Sequence, residues 1–172
     1  LVRVAKFDKV SFEQFSKDIK KTFGDKYFDA QIKYMYDDIK LPKRATKGSG
    51  GHDIYTPFEF ILEPNENMTI PTGIKVYIED GWVLKCYSRS GLGFKYKLRL
   101  FNGTGIIDSD YIFSDNEGHI FAKISNETNE NKTIKLEKGD AFMQGIFVEY
   151  GITYDDNVTE IRNGGIGSTS KK

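Results

Sequence analysis

From Leu41 onward the chain alternates apolar and polar residues in short runs, and turn residues punctuate almost every run. Ile74, Val76 and Ile78 alternate with Lys75, Tyr77 and Glu79, and Trp82, Leu84 and Cys86 repeat the pattern. Ile120, Ala122 and Ile124 alternate again, as do Ile134 and Leu136 with Thr133 and Lys135. Phe58 to Leu62 and Ile146 to Val148 are short, nearly continuous apolar runs. A period of two places side chains on opposite faces of an extended strand. Pro64-Asn65, Pro71-Thr72-Gly73, Glu79-Asp80-Gly81, Asn116-Glu117-Gly118 and Glu137-Lys138-Gly139-Asp140 supply the turns. Many short strands at this spacing predict a mainly β fold, a sandwich or barrel.

Residues 1–40 follow another period. Ser11 and Gln14 form a capping-box pattern, after which Phe12, Phe15, Ile19 and Phe23 recur at helical spacing up to Gly24. A second helix is expected over Asp29 to Ile39, with Ile32, Met35, Tyr36 and Ile39 on one face. These aromatic residues read as core contacts or as a partner surface. At 172 residues the chain fits one domain. Twenty-five basic residues balance 25 acidic ones, which argues against a general attraction to nucleic acid or an anionic membrane. The lone Cys86 can form neither an internal disulfide nor a thiolate metal cage, and a cytoplasmic protein is expected. No apolar run reaches the length of a membrane span, and Leu1 to Lys6 lacks a signal-peptide core. A first residue other than Met is consistent with a processed or trimmed terminus.

Three segments can carry chemistry. Ser88-Arg89-Ser90-Gly91-Leu92-Gly93 joins a guanidinium fork to hydroxyls and glycines, which suits a phosphate or a plain polar loop between strands. Asn102-Gly103-Thr104-Gly105-Ile106-Ile107 reads as a tight hairpin whose bare backbone could meet the edge of a planar base. It runs into Asp108, Asp110 and Tyr111; the aspartates are either a base for a water or turn stabilisers, and on a strand they would share a face. Asp53, after Gly50-Gly51-His52, could support a hydrated Mg²⁺ or be a solvated loop charge. Two histidines and one cysteine are too few for a zinc site, and no Gly-x-Ser-x-Gly elbow supports a serine triad. The Gly-rich Asn163 to Lys172 reads, by itself, as a flexible tail.

Taken in order, Gly-Ser-Gly-Gly-His-Asp, Ser-Arg-Ser-Gly-Leu, Asn-Gly-Thr-Gly-Ile-Ile-Asp-Ser-Asp-Tyr, Phe142-Met143-Gln144-Gly145-Ile146-Phe147 and Arg162-Asn163-Gly164-Gly165-Ile166-Gly167-Ser168-Thr169 resemble the five motifs of the trimeric dUTPases. The match spans about Leu41 to Thr169, and the helical front resembles the Gram-positive bacterial and phage type.

The resemblance implies a jelly-roll-like β core over 41–160, a helical extension over 1–40 and a C-terminal arm over 161–172. It also implies a homotrimer with shared active sites and Mg²⁺-assisted hydrolysis of dUTP to dUMP and pyrophosphate. Asp108 then corresponds to the water-activating carboxylate, and Asn102 with Gly105, Ile106 and Ile107 to the uracil-reading hairpin. Tyr111 corresponds to the ring beneath the deoxyribose, and Arg89, Ser90, Gly91 and Gln144 to the phosphate contacts. Arg162, Ser168 and Thr169 correspond to the arm's grip on the γ-phosphate, with Ile166 and Gly167 closing over the base, and Asp53 to the support for Mg²⁺.

The chain departs from the family pattern at Ile166, where Phe is usual, at His52, where Tyr is common, and at an insert from Ile112 to Glu117. The alternatives are a related dCTP deaminase, whose chemistry wants a Glu at the hairpin, and a non-enzymatic or moonlighting trimeric phage regulator that binds a further protein.

Overall fold

The computed structural model describes residues 1–162. Asn163 to Lys172, and with them the expected arm residues Ile166, Gly167, Ser168 and Thr169, lie outside the described residues.

The chain opens with strand β1 (Ala5–Lys9), which the sequence pattern did not announce. Helix α1 (Phe12–Phe23) follows, with Ser11 as its N-cap: the Ser11 hydroxyl accepts from the Gln14 backbone N–H at 3.1 Å. Only half of the expected capping box forms. The Gln14 side chain turns to Asp18 instead, and the Ser11 backbone N–H donates to Glu117. Gly24 ends the helix at φ 60°, a conformation glycine adopts without a Cβ penalty. Helix α2 (Asp29–Asp37) stops two residues short of the expected Ile39.

The β region comprises β2 (Lys43–Arg44), β3 (His52–Tyr55), β4 (Phe60–Leu62), β5 (Asn67–Pro71), β6 (Ile74–Ile78) and β7 (Trp82–Ser88), then helix α3 (Ser90–Tyr96). It continues through β8 (Leu98–Leu100), β9 (Gly105–Ile107), a 3₁₀ turn (Ser109–Phe113), β10 (Phe121–Asn126), β11 (Ile134–Leu136) and β12 (Ala141–Glu149). The largest sheet is five-stranded in the order β2-β3-β12-β7-β9, with β7 and β12 antiparallel along its centre. A three-stranded sheet, β5-β10-β8, and two pairs, β1-β6 and β4-β11, complete the mainly β fold.

One hydrophobic core joins these layers. It holds Ile54, Ile70, Ile74, Leu84, Ile124 and Phe142 from the strands together with Phe15, Ile19, Ile32 and Met35 from the helices. The helical face thus contributes to the core rather than to an exposed surface. The apolar run Phe58 to Leu62 resolves into alternation, since Phe60 and Leu62 are buried while Ile61 points outward. No helix of the described residues is long and apolar enough to cross a membrane.

Candidate active site

Adjacent strands of the five-stranded sheet bring four of the five motif segments together. Asp53 on β3 sits opposite Gln144 on β12, which sits opposite Tyr87 on β7. Cys86 on β7 in turn faces Gly105 on β9 and Gly145 on β12. Cβ atoms at these two glycines would meet Cys86 and Leu84: at Gly145 the closest atom is Leu84 Cδ1 at 2.7 Å, and at Gly105 it is Cys86 Cβ at 3.2 Å. Glycine therefore lets β9 and β12 lie close against β7. Cys86 is buried and its thiol is pushed up to about 12 by that burial, so it is a packing residue, as expected.

At one end of β7 lies a polar cluster. Arg89 Nε forms an ion pair with Asp53 Oδ1 at 3.1 Å, and Arg89 Nη1 donates to the Ala141 carbonyl at 3.4 Å. Gln144 Nε2 donates to the Ser88 carbonyl at 3.3 Å. Ser90 and Gly91, expected in a loop, open the short helix α3. Two glycines gave that stretch little helix propensity, and hydrogen bonds from Gly93 to Arg89 and from Lys97 to Gly93 close its turns. Next to Asp53, His52 is wedged between Phe7 and Phe147, with ring centroids 5.7 and 5.4 Å away. Burial lowers its pKa, and the site therefore holds a neutral imidazole at neutral pH.

Among the described residues no three His, Cys, Asp or Glu side chains converge to hold a metal ion. Asp53 alone is no cage. A single carboxylate does suit Mg²⁺ that keeps its waters and is held chiefly by phosphate oxygens.

The second cluster lies along β9, on the opposite flank of β7 from β12, with its turn toward the Ser88 end and Asp108 toward the other end. The turn Phe101 to Thr104 is tight, with Gly103 N–H donating to the Leu100 carbonyl at 2.8 Å and Gly103 at φ 75°. It is not the closed hairpin expected from Asn102-Gly103. Its two arms part: β8 pairs with β10, while β9 crosses to β7 in the other sheet. β9 is therefore an edge strand, with no strand on its outer side among the described residues. Beneath it opens a cavity of about 410 Å³ lined in part by Cys86, Leu100, Asn102, Gly105, Ile107 and Phe121.

Asp108 follows β9 directly and caps the 3₁₀ turn instead of extending a strand. Asp108 and Asp110 still act as a pair, because Arg162 binds both: Nη2 to Asp108 Oδ2 at 2.6 Å and Nε to Asp110 Oδ1 at 2.8 Å. Burial opposes the Arg162 charge, but the hydrogen bonds and charges of the two carboxylates outweigh it and hold its pKa above the ordinary value. The guanidinium lies 5.9 Å from the centroid of the Tyr111 ring.

Tyr111 is only 8% exposed. Its hydroxyl donates to the His119 carbonyl at 2.9 Å and accepts from Asn116 Nδ2 at 3.2 Å. Burial raises the phenol's pKa. Asn116 belongs to the insert, as does Glu117, whose carboxylate accepts from the Ser11 N–H at 2.8 Å and the Ser11 hydroxyl at 2.5 Å. The insert is thus a bridge between the Tyr111 turn and the start of α1. Neither Asn116 nor Glu117 stood out in the sequence, where only the turn signal Asn-Glu-Gly was visible.

The dUTPase family model matches residues 37–170, and the chain belongs to the dUTPase family. It is 40% identical over 145 residues to the deoxyuridine 5'-triphosphate nucleotidohydrolase of Lactococcus lactis, an alignment covering 83% of this chain and 95% of that one. The crystal structure of the Streptococcus mutans dUTPase is 37% identical and covers 66% of this chain and 88% of its own, at a TM-score of 0.59. The Staphylococcus bacteriophage 80alpha dUTPase shares the fold over 94% of this chain and 99% of its own at a TM-score of 0.62, with 21% identity.

Proposed function

We propose that the protein hydrolyses dUTP to dUMP and pyrophosphate, and that its working form is a homotrimer with sites shared between subunits. The observation that carries this reading is the juxtaposition at the sheet edge. The outer edge of Gly105–Ile107, open among the described residues, belongs to a strand that borders a 410 Å³ cavity and leads straight into the Asp108 carboxylate and the Tyr111 ring. Free N–H and C=O groups on an edge strand suit the donor and acceptor edge of a pyrimidine, with Asn102 beside them. Tyr111 then lies under the sugar, where a 2′-hydroxyl would collide with it.

Asp108 is half exposed and so can face a water. The water oxygen bonds to the α-phosphorus and its proton passes to Asp108. The bond from the α-phosphorus to the bridging oxygen breaks, and pyrophosphate leaves with the electron pair. General-base assistance of this kind contributes about 10²–10⁴ in rate. Arg162, Ser168 and Thr169, with Ile166 and Gly167, form the arm that grips the γ-phosphate and covers the base. Arg162 exchanges the two aspartates for the triphosphate, which also frees Asp108 for its water.

Arg89, Ser90, Gly91 and Gln144 hold the phosphates through charge-assisted and backbone hydrogen bonds. Asp53 would support the waters of a hydrated Mg²⁺, which when bound would supply charge neutralisation to the triphosphate. The separation of the clusters supports the shared site. Asp108 leaves the sheet next to Ile107, which pairs with Leu84, whereas Arg89 follows Ser88. Leu84 and Ser88 are about 13 Å apart at 3.3 Å per strand residue, so another subunit's Arg89 is better placed to meet the nucleotide.

Residues 1–40 would then be a packed extension, 41–160 the catalytic core and 161–172 the arm. A nucleotide-pool enzyme of this kind keeps uracil out of DNA and supplies dUMP, a role that places it in the cytoplasm. Pyrophosphate release measured with dUTP, UTP and the four standard dNTPs in the presence of Mg²⁺ tests the reading. Release from dUTP alone is expected. Equal release from all substrates, or deamination of dCTP, would overturn it.

A further inference from the structure

Outside the site lies a buried acid–imidazole pair that nothing in the proposed chemistry uses. His119 is fully buried, and its Nε2 accepts the Gly73 backbone N–H at 2.8 Å. A nitrogen that accepts cannot carry a hydrogen, so the ring hydrogen sits on Nδ1. It points at Asp18 Oδ2, 2.6 Å away. Asp18 is on α1, is 6% exposed, and also takes a hydrogen bond from Gln14 Nε2 at 2.8 Å. An apolar pair would dock α1 at least as well, since a buried carboxylate carries a desolvation penalty. What the polar pair adds is direction. It clamps the imidazole from both sides, with Phe121 against one face at 4.6 Å between ring centroids. The His119 backbone carbonyl in turn receives the Tyr111 hydroxyl.

We propose that Asp18 and His119 are positioning residues for Tyr111. A buried chain from the Asp18 carboxylate through the His119 ring and carbonyl to the Tyr111 hydroxyl, buttressed by Asn116, fixes the ring that excludes ribonucleotides. The inference rests on the reading of Tyr111 as the sugar-side ring. None of the three supporting residues lines the cavity beside β9, so their contribution is to selectivity and not to the chemical step. A displacement of about 1 Å in a positioning group can change a rate by up to ~10²-fold. The steric margin under a 2′-hydroxyl is of that size, so the ratio of kcat/KM for dUTP to that for UTP is the sensitive readout.

The test is that ratio in six variants of the full chain. Asp18→Ala and Tyr111→Phe should each lower it by roughly tenfold, within the bound set by such a displacement. Combined, they should lower it little further, because both break one chain. Asp18→Asn keeps an acceptor oxygen for His119 and should restore most of the ratio. Ile32→Ala, a core truncation in α2, should lower Tm and leave the ratio alone. Tyr111→Ala separates the two levels of the argument. A ratio that moves in Tyr111→Ala but not in Asp18→Ala or Tyr111→Phe overturns the positioning role alone. A ratio unmoved in Tyr111→Ala overturns the sugar-side reading and the inference with it. An equal fall in Ile32→Ala would mean general loosening and would also refute the proposal. Should Asp18→Ala fail to fold, Tyr111→Phe and Asn116→Ala decide the matter by the same ratio.

Discussion

Replacing Glu117 by Ala tests whether the insert fastens the helical front to the core. Glu117 accepts from the Ser11 N–H and hydroxyl, and Lys75 Nζ lies 3.5 Å from its Oε2. Hydrogen bonds to a charged group contribute about 1.5–3 kcal/mol each when shielded. The Glu117 side chain is 34% exposed, so screening reduces that, and the Lys75 pair adds little. A loss of about 1–2 kcal/mol is the reasonable total, which corresponds to roughly 2–8 °C in Tm for a chain of this size.

The pH dependence gives the sharper test. Burial alone would raise the Glu117 pKa, but the Ser11 hydrogen bonds and Lys75 outweigh it and hold the folded value below 4.5. A depressed folded pKa means that the stabilisation is present above about 4.5 and disappears as pH falls through the folded value. Thermal melts of wild type and Glu117→Gln, at one protein concentration, should therefore differ at pH 7 and converge as pH falls below 4.5. A difference that stays constant down to acid pH would refute the charge-based account. Equal Tm values at pH 7 would refute the bridge itself.

Further expectations are specific. Asp108→Asn should bind dUTP and turn it over about 10²–10⁴-fold more slowly, measured by pyrophosphate release; near-normal turnover would remove the base assignment. Gly145→Ala forces a Cβ to within 2.7 Å of the buried Leu84 side chain. Overpacking of this kind costs about 1–3 kcal/mol, visible as a lowered urea midpoint. Cys86, buried and with its thiol pushed up to about 12, should react with an aromatic disulfide only as the protein unfolds; a fast reaction in native buffer would contradict its packing role. Activity per chain should fall on dilution as subunits separate, and light scattering that finds an active monomer would dismiss the shared site.

Much of this architecture could be read in advance because local chemistry and tertiary structure agreed. Ser11 caps α1 as its position suggests, and Ile74, Val76 and Ile78 face inward as their spacing requires. The five-motif order points to one region of the fold because four of the segments lie on adjacent strands or follow them directly. What escaped has tertiary causes. β1 has the sequence AKFDK, with only Ala5 and Phe7 apolar and no residue fully buried, and exists because its backbone pairs with β6. The Asn102-Gly103 turn reads as a hairpin, yet which partner each arm takes is decided by β10 and β7, far along the chain. Asp18 and His119 are 101 residues apart, and no periodicity links an acid on a helix to an imidazole beyond the insert.

The two regions that set this chain apart from the common family pattern are in contact with each other. The family model begins at residue 37, so α1 and nearly all of α2 precede it, and the insert interrupts the matched region after Tyr111. Glu117 of the insert holds the first turn of α1, and His119 just beyond it holds Asp18, about two turns further along the same helix. Asn116, just before those attachments, reaches the Tyr111 hydroxyl. A helix docked only by Phe15 and Ile19 could slide along the core, because apolar contact is non-directional. Two polar attachments at different heights remove that freedom, and both are supplied by the segment that also supports Tyr111. The extension and the insert therefore form one structural unit, and it meets the candidate site at Tyr111, the ring proposed to read the sugar.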